Sequence, residues 1–209
     1  MGAGEGNVAV GAIVLFDEFE TLDVFGPVSV LGKLSHKCAI RLWSADGQMV
    51  RSVHGVEVNS ESFPSDPDEL HFVLIPGGNG TRALTQDHDF LTAIKTLCSR
   101  ATYVLSVCTG SAVVAATGIM DGRRATSNKR ALQWVCNRAP GVQWVGNARW
   151  VVDGKFYTSS GVSAGIDMAL AFVRDTEGQE VAEEFARGME YLWNSDPDND
   201  PFARDVAAR

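Results

Sequence analysis

The sequence predicts an α/β protein, a mostly parallel sheet with helices on both faces. Short apolar runs recur along the chain at Val8–Phe16, Phe72–Ile75 and Tyr103–Val107, as expected of strands buried on both faces. Segments with helical spacing alternate with them, which implies a sheet covered on both sides. Each run also stops abruptly in polar, glycine-rich or cysteine-containing loops. In open α/β sheets such loops, at the carboxyl ends of the strands, build the site.

The elements follow in order. After the first strand, Val24–Leu34 has helical spacing and Ile40–Trp43 is a short strand ended by the turn pair Asp46–Gly47. Val53–Val58 reads as an edge strand or hairpin arm. Asp87–Cys98 is an amphipathic helix with Phe90, Leu91, Ile94 and Leu97 on one face. Cys108–Ser111 opens a helix over Ala112–Ala116, and Lys129–Asn137 is helical. Trp150–Val152 and Phe156–Thr158 flank Asp153–Gly154, a two-residue hairpin signal. Ser163–Val173 and Glu180–Trp193 are closing helices. The reading is one domain over residues 1–209 with a core of about 8–193. Met1–Asn7 and Asn194–Arg209 are expected to be flexible ends.

The chain has 209 residues, 45% of them hydrophobic, enough for one full core. The net charge is −8 and no Lys/Arg-rich stretch occurs, so no nucleic-acid footprint is expected. Arg123–Arg124 and Lys129–Arg130 read as solvated pairs. No apolar run reaches the length of a membrane span and no signal peptide is evident, so a cytoplasmic protein is expected. Cys38, Cys98, Cys108 and Cys136 are widely spaced, with neither a disulfide framework nor a zinc pattern.

Four features could carry chemistry. Cys108 follows a strand and precedes small residues and a helix, the order of a nucleophile elbow. There the first helical amides would favour a thiolate, the form that attacks electrophiles. Cys38, Cys98 and Cys136 read as core or surface filler. Second, Pro76–Gly80 is a glycine-rich loop whose Gly77, Gly78 and Asn79, with the amide of Thr109, could form an anion or oxyanion hole; an ordinary strand-ending turn is the alternative. It is neither GxGxxG nor a P-loop, which argues against nucleotide phosphates. Third, Asp23 ends an acidic loop but is flanked by Leu22, Val24 and Phe25, an apolar setting that would raise its pKa. Fourth, His36, His54, His71 and His88 all lie outside the three loops expected at the site. That disfavours a Cys–His hydrolase.

Taken together, YVLSVCTGSAVVAATGIMDG at Tyr103–Gly122, FDEFETLDVFGP at Phe16–Pro27, LIPGG at Leu74–Gly78, RRATSN at Arg123–Asn128 and SSGVSAGIDMAL at Ser159–Leu170 resemble the ThiJ/PfpI superfamily. The resemblance covers about Val8 to Trp193. It implies a flavodoxin-like three-layer fold related to class I glutamine amidotransferases, and a homodimer. Within the superfamily the chain is most similar to the isocyanide hydratase branch, which has Asp and Thr where many members have Glu in the first loop and His after the cysteine. The resemblance implies Cys108 as nucleophile, Asp23 as its assistant and Thr109 as part of the site, with Ser160 and Gly161 near the substrate. Two departures concern pocket shape. Asn128 stands where His is common, and Ser159–Ser160–Gly161 where a glycine-rich run is common.

The expected reaction is addition of water to an organic isocyanide. Cys108 attacks the terminal carbon, Asp23 or a water it holds supplies a proton, and water then releases an N-substituted formamide from the thioimidate. The small-molecule substrate is the expected partner, and the chemistry calls for no metal and no cofactor. Two alternatives are conversion of 2-oxoaldehydes, as other members perform, and a cysteine-based redox or ligand sensor.

Overall fold

A computed structural model describes residues 9–203. The first apolar run forms β1 (Ala9–Val14), followed by α1 (Thr21–Leu31) and β2 (Cys38–Ser44). β3 (Val50–Arg51) and β4 (Glu57–Val58) pair as a small antiparallel ribbon, and β5 (Glu61–Ser62) joins the edge beside β2. Then come β6 (Leu70–Ile75), the single turn α2 (Thr81–Leu84), α3 (His88–Arg100), β7 (Ala101–Val107) and α4 (Gly110–Ala116). β8 (Arg124–Ala125) and β9 (Gln143–Trp144) form a second ribbon around α5 (Leu132–Arg138). The chain closes with β10 (Trp150–Asp153), β11 (Phe156–Ser159), α6 (Ala164–Glu177) and α7 (Gln179–Gly188).

The main sheet has seven strands in the order β10-β11-β7-β6-β1-β2-β5. Every neighbouring pair is parallel except β10 and β11. Ala12–Val14, Phe72–Ile75, Val104 and Leu105 have no exposed surface. Each such Val, Leu, Ile or Phe contributes roughly 1.5–3 kcal/mol relative to exposure. The alternation of runs and helices therefore encoded the sheet correctly. Strand order reverses between β1 and β6, so the loops that follow them diverge over a crevice.

The structure corrects several local expectations. On α3 the buried face is Phe90, Ile94, Leu97 and Cys98, with Leu91 half-buried. In the hairpin, Asp153 pairs with Phe156, so the two-residue loop is Gly154–Lys155. The last helix stops at Gly188, five residues short of Trp193. The reason is tertiary: Tyr191 Oη and Trp193 Nε1 both turn back to donate to Asp167, each at 3.1 Å. Lys129 is buried rather than solvated, its Nζ donating to Thr126 Oγ1 at 2.8 Å. Nor is Asn194–Ala203 a loose tail, because Arg149 N donates to Pro197 O at 2.7 Å and Asp200 is buried. The expected strand residue Val8 and the ends 1–7 and 204–209 lie outside the described residues. No helix among the described residues is long and apolar enough to cross a membrane.

Candidate active site

Four loops meet beyond the carboxyl ends of the parallel strands. The loop after β1 meets the loop after β6 where Glu20 N donates to Gly77 O at 2.8 Å and Phe19 bridges to Gly78. The loop after β7 carries Cys108 and Thr109. Because β11 runs parallel to β7, with Ser159 opposite Val107, Ser160 and Gly161 arrive beside them. Cys108 N donates to Ser159 O and to Ser160 O, both at 3.2 Å.

Cys108 has φ +57°, the left-handed region that a residue with a Cβ occupies at a cost of about 1–3 kcal/mol. This is the backbone of a nucleophile elbow, and it lifts the sulfur off the strand end. Its carbonyl is held by Ser111 Oγ at 3.0 Å and Ser127 Oγ at 2.9 Å. The thiol is 7% exposed.

Asp23 sits in the first turn of α1 with no exposed surface. Gly77 N donates to its Oδ2 at 2.9 Å, and its Oδ1 has no hydrogen-bond partner among the described residues. Burial raises its pKa well above the usual carboxylate range, Glu20 adds to the rise, and the Gly77 amide opposes it. The desolvated carboxyl expected at Asp23 is therefore present.

The surroundings of the thiol oppose the expected thiolate. Burial, and next the Asp23 charge, push the Cys108 thiol far up. The Thr109 amide, the Asn128 side chain and the Thr109 hydroxyl pull it down. Desolvation outweighs these donors, and α4 is only seven residues long. The thiol and the carboxyl are buried together, and charge on either one disfavours charge on the other.

The glycine-rich loop has a different job from the one expected. Gly77 N is committed to Asp23, and Gly78 N donates to Thr109 Oγ1 at 3.2 Å. Neither amide is left to form an oxyanion hole. They fix the acid and the hydroxyl instead. Glycine is required at 77 because a Cβ there would stand 2.7 Å from Thr109 N and 2.8 Å from Asp23 Oδ2. Asn79 is exposed, with no side-chain hydrogen bond among the described residues. Thr109 Oγ1 is also 3.0 Å from Thr81 Oγ1, which donates to Gly78 O at 2.7 Å.

The residues of the β11 loop do reach the sulfur. A Cβ on Gly161 would lie 3.0 Å from Cys108 Sγ and would collide with Asn128 Nδ2. Gly161 thus leaves the space in which the Asn128 amide meets the sulfur. Asn128 Oδ1 accepts from Arg130 N at 2.9 Å and Ala131 N at 3.2 Å, which turns its NH2 toward Cys108. Sequence reasoning noted Asn128 only as a departure at the pocket. Its capping position before a helical segment was the signal that its oxygen is occupied and its nitrogen free to point elsewhere.

All four histidines lie away from the thiol. His71 packs among Phe72, Tyr103 and Phe172, His36 lies 3.9 Å from Glu177, His54 contacts Thr21, and His88 is exposed at the start of α3. A cleft of about 460 Å³ lined by Phe16, Phe63 and Phe90 does not include Cys108.

A doubly wound α/β domain that presents a strained, buried cysteine against a protonatable carboxyl defines a class of cysteine-centred proteins. The chain belongs to the DJ-1/PfpI family, whose model matches residues 11–175. It is 32% identical over 180 residues to an isonitrile hydratase from Pseudomonas putida, covering 85% of this chain and 76% of that one. It is 28% identical over 149 residues to a deglycase from Pyrococcus abyssi, covering 70% of this chain and 87% of that one. A solved ThiJ/PfpI family protein from Pseudomonas syringae superposes with a TM-score of 0.79 at 28% identity, over all of this chain and 89% of that one.

Proposed function

We propose that the protein hydrates an organic isocyanide to an N-substituted formamide through a covalent intermediate on Cys108. The supporting observation is the Cys108–Asp23 pair: a nucleophile and a carboxyl buried against each other, with no histidine beside them among the described residues. The likeness to an isonitrile hydratase points the same way.

The atoms balance as follows. The sulfur forms a bond to the terminal isocyanide carbon, and the pair's proton goes to that same carbon through Asp23. The product is the thioimidate R–N=CH–S–Cys108, and Asp23 is left as carboxylate. Water then adds across the C=N bond, its hydroxyl to carbon and its proton to nitrogen, with Asp23 orienting the water. The tetrahedral adduct collapses, the C–S bond breaks, and the hydroxyl proton returns to the pair. R–NH–CHO leaves. The Thr109 amide and Asn128 Nδ2 offer hydrogen bonds to the sulfur while it carries charge. A recessed thiol suits a linear electrophile whose reactive carbon is its outermost atom.

The test is formamide production from simple alkyl and aryl isocyanides by the wild type and by Cys108→Ala. Turnover only in the wild type is expected, and equal turnover by the variant sinks the reading. The deglycase relative favours a second reading, action on 2-oxoaldehydes. D-lactate from methylglyoxal in place of formamide from isocyanides would select it.

A further inference from the structure

Arg82 and Trp134 form a unit at the mouth of the site that the mechanism leaves unused. Arg82 follows Thr81, whose hydroxyl contacts Thr109, and so stands one residue from the wall of the reaction centre. Trp134 lies on α5, which follows the 3-10 turn Lys129–Ala131 that Asn128 caps. The guanidinium carbon is 3.5 Å from the centre of the indole ring, in close stacking contact. The contact thus joins α2, whose Thr81 touches Thr109, to α5, which follows the turn that Asn128 caps.

Like Arg124, Arg130 and Arg138, Arg82 has no carboxylate partner among the described residues, whereas Arg41, Arg51, Arg100, Arg123, Arg174 and Arg187 are all paired. A stacked guanidinium keeps its N–H edge in its own plane, parallel to the ring, where it can take a carboxylate through two hydrogen bonds. It is also electrically coupled to the sulfur. Partial burial lowers its pKa, and negative charge on Cys108 pulls it back up. The chain as a whole carries −8, so an anionic substrate needs such a local cation to approach.

We infer that the substrate attacked by Cys108 carries a carboxylate close to its electrophilic carbon, and that Arg82, held on Trp134, binds it. Under the hydratase reading, on which the identity of the electrophile rests, this makes the substrate an isocyano acid. The charge preference itself does not depend on that reading.

Two experiments separate the ideas. Alkylation of Cys108 by iodoacetate and by iodoacetamide, followed by peptide mass spectrometry, compares an anionic with a neutral reagent of similar size. The iodoacetate-to-iodoacetamide rate ratio is expected to fall about tenfold in Arg82→Gln, by less in Arg82→Lys and Trp134→Leu, and in the wild type on adding salt. A ratio equal in wild type and Arg82→Gln overturns the inference. In parallel, formamide production from isocyanoacetate and from propyl isocyanide is measured. An Arg82-dependent alkylation ratio without hydration of either isocyanide keeps the carboxylate site and discards the hydratase reading. Hydration of both with an unchanged alkylation ratio keeps the hydratase and discards the site.

Discussion

Two groups of ionisable side chains are buried in this protein, and the fold treats them in opposite ways. Around Asp167, every charge meets its opposite. Arg149 donates to Asp167 Oδ2 through Nε at 2.7 Å and Nη2 at 2.6 Å, while Tyr191 Oη and Asn194 N donate to Oδ1. Asp200 lies 3.6 Å from Lys129 Nζ and 3.7 Å from Arg149 Nη1. This cluster ties Asn194–Ala203 to the body and holds Arg149, whose carbonyl accepts from Ser160 N at 2.8 Å. Around Cys108 and Asp23 no cation is buried among the described residues, and the one cation coupled to the sulfur, Arg82, is exposed. Two acids are buried together, both pKa values are raised, and one Asp23 oxygen has only the thiol to face. A compensated buried cluster serves structure, and an uncompensated one costs stability and retains reactivity.

Four substitutions sharpen or break this contrast. The largest effect is expected for Cys108→Ser, which should abolish formamide production while leaving the thermal midpoint nearly unchanged. Asp23→Asn should lower turnover by roughly 10²–10⁴. It should also let iodoacetamide alkylate Cys108 at lower pH, since the Asp23 charge is one of the causes raising that thiol. The sign for stability is opposite to that for activity. A carboxyl whose folded pKa is raised favours folding when protonated and penalises it increasingly as pH rises above about 3.8 through the folded value. Asp23→Asn should therefore melt higher than wild type at pH 7–8, by roughly 2–4 °C for each kcal/mol gained, with the advantage gone in acid. A lower melting point at pH 8 would falsify the uncompensated pair.

Asp167→Asn should do the reverse. Leaving Arg149 buried without its carboxylate should cost about 3–5 kcal/mol in urea unfolding. The smallest effect belongs to Asn128→Ala. Losing one N–H donor to the sulfur should reduce turnover about three- to tenfold, and losing the cap should cost roughly 1 kcal/mol.

The features legible in the sequence were those with short-range signatures. The apolar runs of β1, β6 and β7 gave the parallel sheet, and the order strand, Cys108, small residues, helix gave the elbow. The flanking apolar residues of Asp23 gave its desolvation. Less legible was anything that depends on what a polar group meets across the fold. The loop of Gly77 and Gly78 looked like an anion cradle, but its amides are taken by Asp23 and Thr109. Lys129 looked solvated because Asp200, its buried partner, lies 71 residues further on. Glu180–Trp193 looked helical throughout because its periodicity cannot register that Tyr191 and Trp193 are needed at Asp167.

The sequence by itself therefore determined the layered fold, the cysteine at a strand end and the absence of a histidine from the loops that form the site. Local propensity and apolar periodicity are enough for these. Only the tertiary structure decided that Cys108 and Asp23 are buried against each other, that Asn128 points its amide at the sulfur, and that Arg82 stacks on Trp134. Protonation and donor direction depend on burial and on neighbours brought from distant parts of the chain, and no local stretch of sequence contains them.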